Sequence, residues 1–348
     1  MEETARRAFV ASLVVGSVVV LALALWKLKL LIALLFFAFI IAAAMRPGVE
    51  ALNRLRIPRM VGVLIHYAVL LGLVGLLLWL VVPRAIDQVQ SALGEENLQQ
   101  QTAEATGWKR DVLEGVQQRL EELPSARELV DPAVEVTVIG FEIFVGIFFV
   151  LACAAYCIFE REHAIRLVTS LLPRPRRKVV RDTWDLIDAK LGAYVRGQAL
   201  LITLVATTLS LAFWAIGLPF WLLVGIFAGF VEIVPVIGPL TAGAVAVGVG
   251  FTESIQLGIA AGVIVLVVRL LEDYIVIPKV LGEAVGLSPL LVLVSVFATA
   301  VLFGEGAVLL AIPLAAVLAT LVDVIVLDKD PAEEEVPTVI FSAKDAEA

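Results

Sequence analysis

Long apolar stretches alternate with short polar segments along most of the chain. Eight stretches stand out: 8–25, 30–45, 61–82, 133–159, 199–217, 255–271, 287–303 and 307–327. A helix needs about 20 mainly apolar residues to cross a hydrocarbon layer of about 30 Å. The pattern therefore predicts an all-α, polytopic membrane protein with about eight transmembrane helices.

A further apolar stretch, 219–251, is interrupted by residues that break helices. They are Pro219, Gly225, Gly229, Pro235, Gly238, Pro239, Gly243, Gly248 and Gly250. A straight helix does not tolerate this density of breakers, and half-helices of about 15 residues reach only about 22 Å. We expect a broken re-entrant hairpin, which together with eight spans leaves both termini on the same side.

Two polar segments separate these stretches. Segment 84–132 repeats apolar residues at helical spacing between charges (Leu113, Val116, Leu120, Leu123), and we expect a small extracytoplasmic helical segment. Segment 160–198 carries the basic run 173–178 and then an amphipathic pattern over 179–195. We expect a basic cytoplasmic loop and a helix lying along the inner membrane surface, with a docking platform for a partner as the alternative.

The distribution of Lys and Arg predicts the orientation. Connections 46–59 and 161–181 are rich in Arg, and such connections stay in the cytoplasm. We therefore expect an inner-membrane, multi-pass protein with both termini cytoplasmic. The predicted organisation is 1–83 (helices 1–3), 84–132, 133–159 (helix 4), 160–198, 199–327 (a transport core containing 219–251) and an acidic tail, 328–348.

Composition supports the membrane class and narrows the chemistry. The chain is 61% hydrophobic and 17% charged, whereas soluble domains are about 45–50% apolar and about 25% charged. The net charge of −8 argues against nucleic acid as a partner. We find no Walker loop, dinucleotide turn or zinc-binding His pair, and Cys153 and Cys157 have no metal-ligating neighbour in sequence. We expect neither an enzyme nor a cofactor or metal site.

The strongest candidate site lies where charges meet broken backbone. Glu232 precedes a break made by Pro235, Gly238 and Pro239, and a charge at membrane depth is costly unless it is paired or hydrated. In the neighbouring span, the side chains of Arg269, Glu272 and Asp273 share one helical face. They either bind a substrate or ion with Glu232, or form a structural ion-pair cluster that holds the hairpin. Asp323 and Glu305 are secondary candidates.

Several motifs together resemble the autoinducer-2 exporter (AI-2E) family. They are Gly192–Gln198, Val234–Pro239, Ile277–Gly282, Leu287–Leu290, Phe303–Ala307 and Ile312–Ala316. The sequence departs from the family pattern at Asp273, where Asn is usual, at Ala298-Thr299, where a glycine pair is usual, and at Glu305, where a hydrophobic residue is usual. The additional carboxylate at Asp273 favours binding of a cation or proton.

The resemblance implies a secondary transporter that moves a small polar solute or signalling molecule outward, coupled to an ion. It adds Gln198 to the secondary site candidates and implies a homo-oligomer, with a pentamer as one arrangement. A sodium (or lithium)/proton antiporter is the first alternative. A non-transporting oligomeric membrane scaffold, using segment 84–132 or 173–196, is the alternative from another class.

Overall fold

The computed structural model describes residues 2–93, 130–280, 287–334 and 336. Within them, all regular structure is helical, so the all-α prediction is confirmed. The α-helices are α1 (Glu2–Lys27), α2 (Lys29–Arg54), α3 (Arg59–Leu93), α4 (Val130–Phe159), α5 (Arg161–Ser170), α6 (Arg174–Ala215), α7 (Trp221–Val231), α8 (Ile237–Glu253), α9 (Ile255–Leu271), α10 (Ile277–Val280), α11 (Pro289–Phe303) and α12 (Ala311–Ile325). A π-helical turn, Glu272–Val276, joins α9 to α10, and a 3₁₀ turn, Glu305–Leu310, precedes α12.

Six of the described helices are long and apolar enough to cross a membrane. They are Lys29–Arg54, Arg59–Arg84, Gly140–Phe159, Arg174–Ala215, Ile255–Lys279 and Gly306–Ile325. The two other predicted spans correspond to shorter apolar helices, Ser12–Lys27 and Leu290–Phe303. By composition and length the chain is a multi-pass membrane protein.

The interruption predicted between 219 and 251 is present. Helix α7 has 11 residues and α8 has 17, which correspond to about 16 and 25 Å. Neither matches the thickness of a hydrocarbon layer of about 30 Å. They pack with α6 and α9 around one apolar core that is built from Leu209, Phe213, Ala228, Ala246 and Ala261.

Helix α6 differs from the prediction for segment 160–198. We expected a separate helix on the membrane surface that ends at residue 198, but α6 runs without interruption for 42 residues, about 63 Å. Its first half packs against α2 instead of lying on lipid: Leu191 is buried beside Ile40 and Ala43, and the Trp184 ring meets Phe39 edge-on at 6.1 Å. Leu191 and Tyr194 of the amphipathic pattern are buried by protein, whereas Val179 at its start is exposed.

Close helix packing brings α7 onto α6. Gly225 lies directly over Ser210, and a Cβ at this position would collide with the Ser210 side chain and backbone. Small residues allow such close approach within membranes. This contact fixes the position of α7, and with it the position of the break that follows.

The predicted extracytoplasmic segment is described only at its ends. Helix α3 continues to Leu93, ten residues beyond the predicted boundary at 83, and α4 begins at Val130. The apolar repeat from Leu113 to Leu123 lies outside the described residues.

Candidate functional site

The break between α7 and α8 is a tight turn in the backbone. The Ile237 N–H donates to the Pro235 carbonyl at 2.7 Å, and Val236 between them has a φ of 67°. This is the geometry of a γ-turn, and a β-branched residue with positive φ is strained. Strained backbone is concentrated at functional sites. Pro239 follows in the first turn of α8, where a missing N–H costs nothing.

Gly238 makes this turn possible. A Cβ at Gly238 would overlap the carbonyl group of Val231, the last residue of α7. The two helix ends therefore approach each other closely, as only a residue without a side chain allows. The Gly238 N–H also donates to the Val234 carbonyl at 2.8 Å, which closes the turn.

Four of the predicted charged residues meet beside this turn. The Arg269 Nη1 lies 2.7 Å from Glu232 Oε1 and 3.3 Å from Glu272 Oε2. The Arg269 Nη2 lies 2.9 Å from Asp273 Oδ1. We call these four residues the carboxylate cluster. Arg269 therefore pairs both with acids of its own chain segment, Glu272 and Asp273, and with Glu232 across the break.

A π-helical turn places the two acids that follow Arg269. The Ile277 N–H donates to the Glu272 carbonyl, five residues back instead of four. Pro278, which cannot donate, follows within the next turn. A wider turn of this kind inside a helix is rare and is frequently found at functional sites. The sequence signal was Pro278 itself, which makes a regular helix impossible at this point.

The charges of the carboxylate cluster do not balance. Three carboxylates face one guanidinium, so the formal charge is −2 when all four groups are ionised. The Glu232 and Glu272 side chains are only 9% and 3% exposed, and Glu272 Oε1 has no hydrogen-bond partner among the described residues. A buried, unbalanced charge is costly. A bound proton or a monovalent cation would reduce this cost.

The described residues contain no group of three or more His, Cys, Asp or Glu side chains arranged to hold a metal ion. The carboxylates surround the guanidinium instead of converging on one point.

Of the two secondary candidates whose side chains the structure describes, Gln198 and Asp323, only Gln198 contacts the carboxylate cluster. Gln198 on α6 donates from Nε2 to the Glu232 carbonyl at 3.4 Å, so it contacts the backbone of the break. Asp323 is paired instead with Lys329 at 2.8 Å, near the end of α12. Glu305 begins the 3₁₀ turn, and its side chain lies outside the described residues.

A second charged group was not predicted from the sequence. Asp188 on α6 is buried and binds both Arg46 of α2 and Arg161 of α5; the Arg161 Nε lies 2.7 Å from Asp188 Oδ2. Burial lowers the pKa of Arg161, but Asp188 and Asp185 outweigh it and raise the pKa above its ordinary value. Its burial could have been predicted from the spacing, because Asp188 lies four residues after Trp184 and therefore on the apolar stripe of α6.

A cavity of about 340 Å³ adjoins this second group. Phe39, Arg46, Ile158, Arg161 and Trp184 are among the residues that line it, and no residue of the carboxylate cluster does so. The cavity and the break are therefore separate features of the molecule.

Comparison with known proteins agrees with this architecture. The family model for AI-2E family transporters matches residues 15–327. The chain is 24% identical to the Bacillus subtilis protein named "Putative transport protein YrrI" over 82% of this chain and 83% of that protein. It is 25% identical to the Synechocystis protein named "Putative transport protein sll0060" over 83% and 85%. It is 25% identical to the Escherichia coli K12 protein named "Putative permease PerM" over 47% and 46%. Because the match covers nearly the whole sequence, the chain belongs to the AI-2E family of transporters.

Proposed function

We propose that this protein is a secondary transporter whose coupling cation, a proton or Na⁺, binds at the carboxylate cluster. The observation that carries the proposal is that three carboxylates, two of them buried, share one guanidinium next to a break in the backbone. Broken helices place backbone groups at membrane depth in many secondary transporters. The cargo that we propose is a small polar solute or signalling molecule moved outward, as the resemblance to the family implies.

The break and the charges work together in this proposal. Irregular backbone at membrane depth is tolerated where it is buried in protein or lines a cavity. The Glu232 carbonyl, held by Gln198, and the carbonyls of the γ-turn are acceptors beside the ionisable side chains. A solute with donor groups could therefore bind to the backbone while a proton or cation binds to the carboxylates.

A sodium (or lithium)/proton antiporter is the second candidate. The observation that favours it is Asp273, the third carboxylate, whose side chain is 41% exposed while Glu272 is 3% exposed. One carboxylate is thus accessible and another is deeply buried around a shared guanidinium. Such a pair could take up a cation on one carboxylate as a proton leaves the other.

The proposal includes an assembly and an orientation. Charge distribution supports an inner-membrane location with cytoplasmic termini, and family resemblance supports a homo-oligomer. Crosslinking in native membranes and protease protection of terminal tags would test these two statements separately.

Flux through reconstituted protein tests the assignment of the site. Purified wild-type protein, Glu232→Gln and Asp273→Asn are placed in sealed vesicles, and movement of radioactive Na⁺ and of protons is recorded. We expect both variants to lose flux while retaining the wild-type elution profile. Asp328→Asn, at an exposed site beyond α12, is the matched control and should keep its flux. Unchanged flux in the folded Glu232→Gln and Asp273→Asn variants would refute the assignment.

A sodium jump separates the candidate functions. Proton movement that follows addition of Na⁺ outside the vesicles supports the antiporter. Its absence, together with loss of activity in an organic-solute export assay of the same variants, supports the solute exporter. Two results together would favour the scaffold. The wild-type protein would show no flux, and a fixed partner would co-purify with it but be lost when 84–132 is deleted.

A further inference from the structure

A lysine is buried in α6, away from the carboxylate cluster. Lys190 is 7% exposed, and its Nζ donates to the Thr320 hydroxyl of α12 at 3.2 Å. Thr320 is fully buried. An ammonium group in such surroundings is costly unless a counter-charge accompanies it, and the threonine hydroxyl supplies a dipole but no charge.

The acidic tail supplies that counter-charge. Glu334 Oε1 lies 2.6 Å from Lys190 Nζ, and the two residues are 144 positions apart. Among the described residues, Glu334 is the one carboxylate that forms an ion pair with Lys190. The pairing is therefore a tertiary contact between the tail and the interior of the helical bundle.

The chain after α12 is folded so that Glu334 can reach this position. The Lys329 N–H donates to the Asp323 carbonyl at 3.1 Å, and the side chains of the same two residues pair at 2.8 Å. A turn follows, in which the Ala332 N–H donates to Asp330 Oδ1 at 3.0 Å. Pro331 in this turn is buried. The tail is thus attached at more than one point.

We propose that Lys190 and Thr320 form a carboxylate-binding site that docks the acidic tail through Glu334. The occupant of this site is segment 329–334 of the same chain. An ammonium with three donors fits a carboxylate, and the Thr320 hydroxyl accepts a second hydrogen bond from the same ammonium and so holds it in position. A second carboxylate that entered this site would have to displace the tail.

Docking also has a consequence for the carboxylate cluster, which rests on the proposed function. Lys190, Tyr194 and Gln198 are buried at successive turns of α6, and the rise along the helix axis from Lys190 to Gln198 is about 12 Å. Gln198 reaches the Glu232 carbonyl. The tail therefore covers one end of a run of buried polar groups that leads to the break. Release of Glu334 opens this end, and the docked tail closes it.

Zero-length crosslinking tests whether the tail docks. A carbodiimide joins a carboxylate to an amine that it contacts, and mass spectrometry identifies the joined peptides of the full-length protein. We expect a Lys190–Glu334 crosslink in the wild type and in Glu333→Gln, and none in Glu334→Gln. The Lys329–Asp323 pair, whose lysine is exposed, is the internal control for the reagent. If that pair is joined and Lys190–Glu334 is not, the docking proposal is overturned.

Cysteine labelling tests whether docking covers the site. Thr320→Cys is introduced after Cys153 and Cys157 have been replaced by alanine, and the rate of reaction with a hydrophilic thiol reagent is measured. Loss of an interaction worth about 1.4 kcal/mol increases the fraction of molecules with a released tail about tenfold. We expect Glu334→Gln to raise the labelling rate about tenfold.

The neighbouring Glu333→Gln removes the same charge from a side chain that forms no ion pair among the described residues, and it should leave the labelling rate unchanged. Equal rates in Glu334→Gln and Glu333→Gln would overturn the proposal. Neither readout measures transport, so a failure of the carboxylate cluster to carry a cation would leave this result standing. The reverse also holds, because flux can be lost in Glu232→Gln while the tail stays docked.

Discussion

Arg269 is the single cation among three carboxylates, so Arg269→Gln is the most informative substitution for the energetics of the carboxylate cluster. Removal of one partner from a buried ion pair costs about 3–5 kcal/mol because the remaining charge is left uncompensated. Glu232 and Glu272 are the buried partners, whereas the exposed Asp273 contributes no more than about 1 kcal/mol. We therefore expect a destabilisation of about 3–5 kcal/mol, seen as a fall in Tm on the order of 5–10 °C.

Thermal unfolding in detergent, followed by intrinsic fluorescence, measures this effect. Arg166→Gln is the control because Arg166 is exposed and forms no ion pair among the described residues. The double variant Arg269→Gln/Glu272→Gln restores the formal charge of −2 and should recover about 0.5–3 kcal/mol, the usual range of coupling between contacting residues. A Tm of Arg269→Gln equal to that of the wild type, or no recovery in the double variant, would refute the electrostatic reasoning.

Three further predictions concern the break and the second charged group. Gly238→Ala should destabilise the protein by about 1–3 kcal/mol because the added methyl group overlaps backbone, whereas Gly248→Ala, inside α8 where the space is open, should not lower Tm. Asp188→Asn should cost about 3–5 kcal/mol because two arginines lose their shared carboxylate, and Asp182→Asn on the same helix should cost little. Val236→Gly should raise stability by about 1 kcal/mol because it relieves the positive φ.

The same thermal assay decides each of these three. Equal Tm values for the two alanine variants would show that the backbones of α7 and α8 are not in close contact at the break. A wild-type Tm in Asp188→Asn would mean that this group is solvated instead of buried. A lower Tm in Val236→Gly would show that the γ-turn is not strained.

The break and its charges could be predicted because their signals are local. Pro235, Gly238 and Pro239 interrupt a helix wherever they occur together, and the spacing of Arg269 to Asp273 places them on one face. The sequence could not establish that Arg269 also binds Glu232, because 37 positions separate them. That contact depends on how α9 packs against the hairpin.

The continuity of α6 could not be predicted for a related reason. Arg196 and Gln198 are polar residues between two apolar stretches of the sequence. Polar residues at such a place predict a boundary between a surface helix and a transmembrane helix. The structure satisfies both side chains through other elements: Arg196 donates to the Ala44 carbonyl at 3.2 Å, and Gln198 donates to the Glu232 carbonyl. The helix can therefore continue. The pairing of Lys190 with Glu334 could not be predicted either, because 144 positions separate the two residues.

Infrared difference spectroscopy of the purified protein tests the central claim most directly, because protonated carboxylic acids have a C=O stretch that carboxylates lack. Spectra are recorded in two titrations: the pH is raised in a large, impermeant organic cation, and Na⁺ then replaces that cation at constant pH. Our account predicts that a band of a protonated carboxylic acid disappears in at least one titration in the wild type and in Asp328→Asn, and that this loss is absent in Glu272→Gln. The same band loss in Glu272→Gln as in the wild type, or no loss in the wild type, would contradict binding of the coupling cation at the carboxylate cluster.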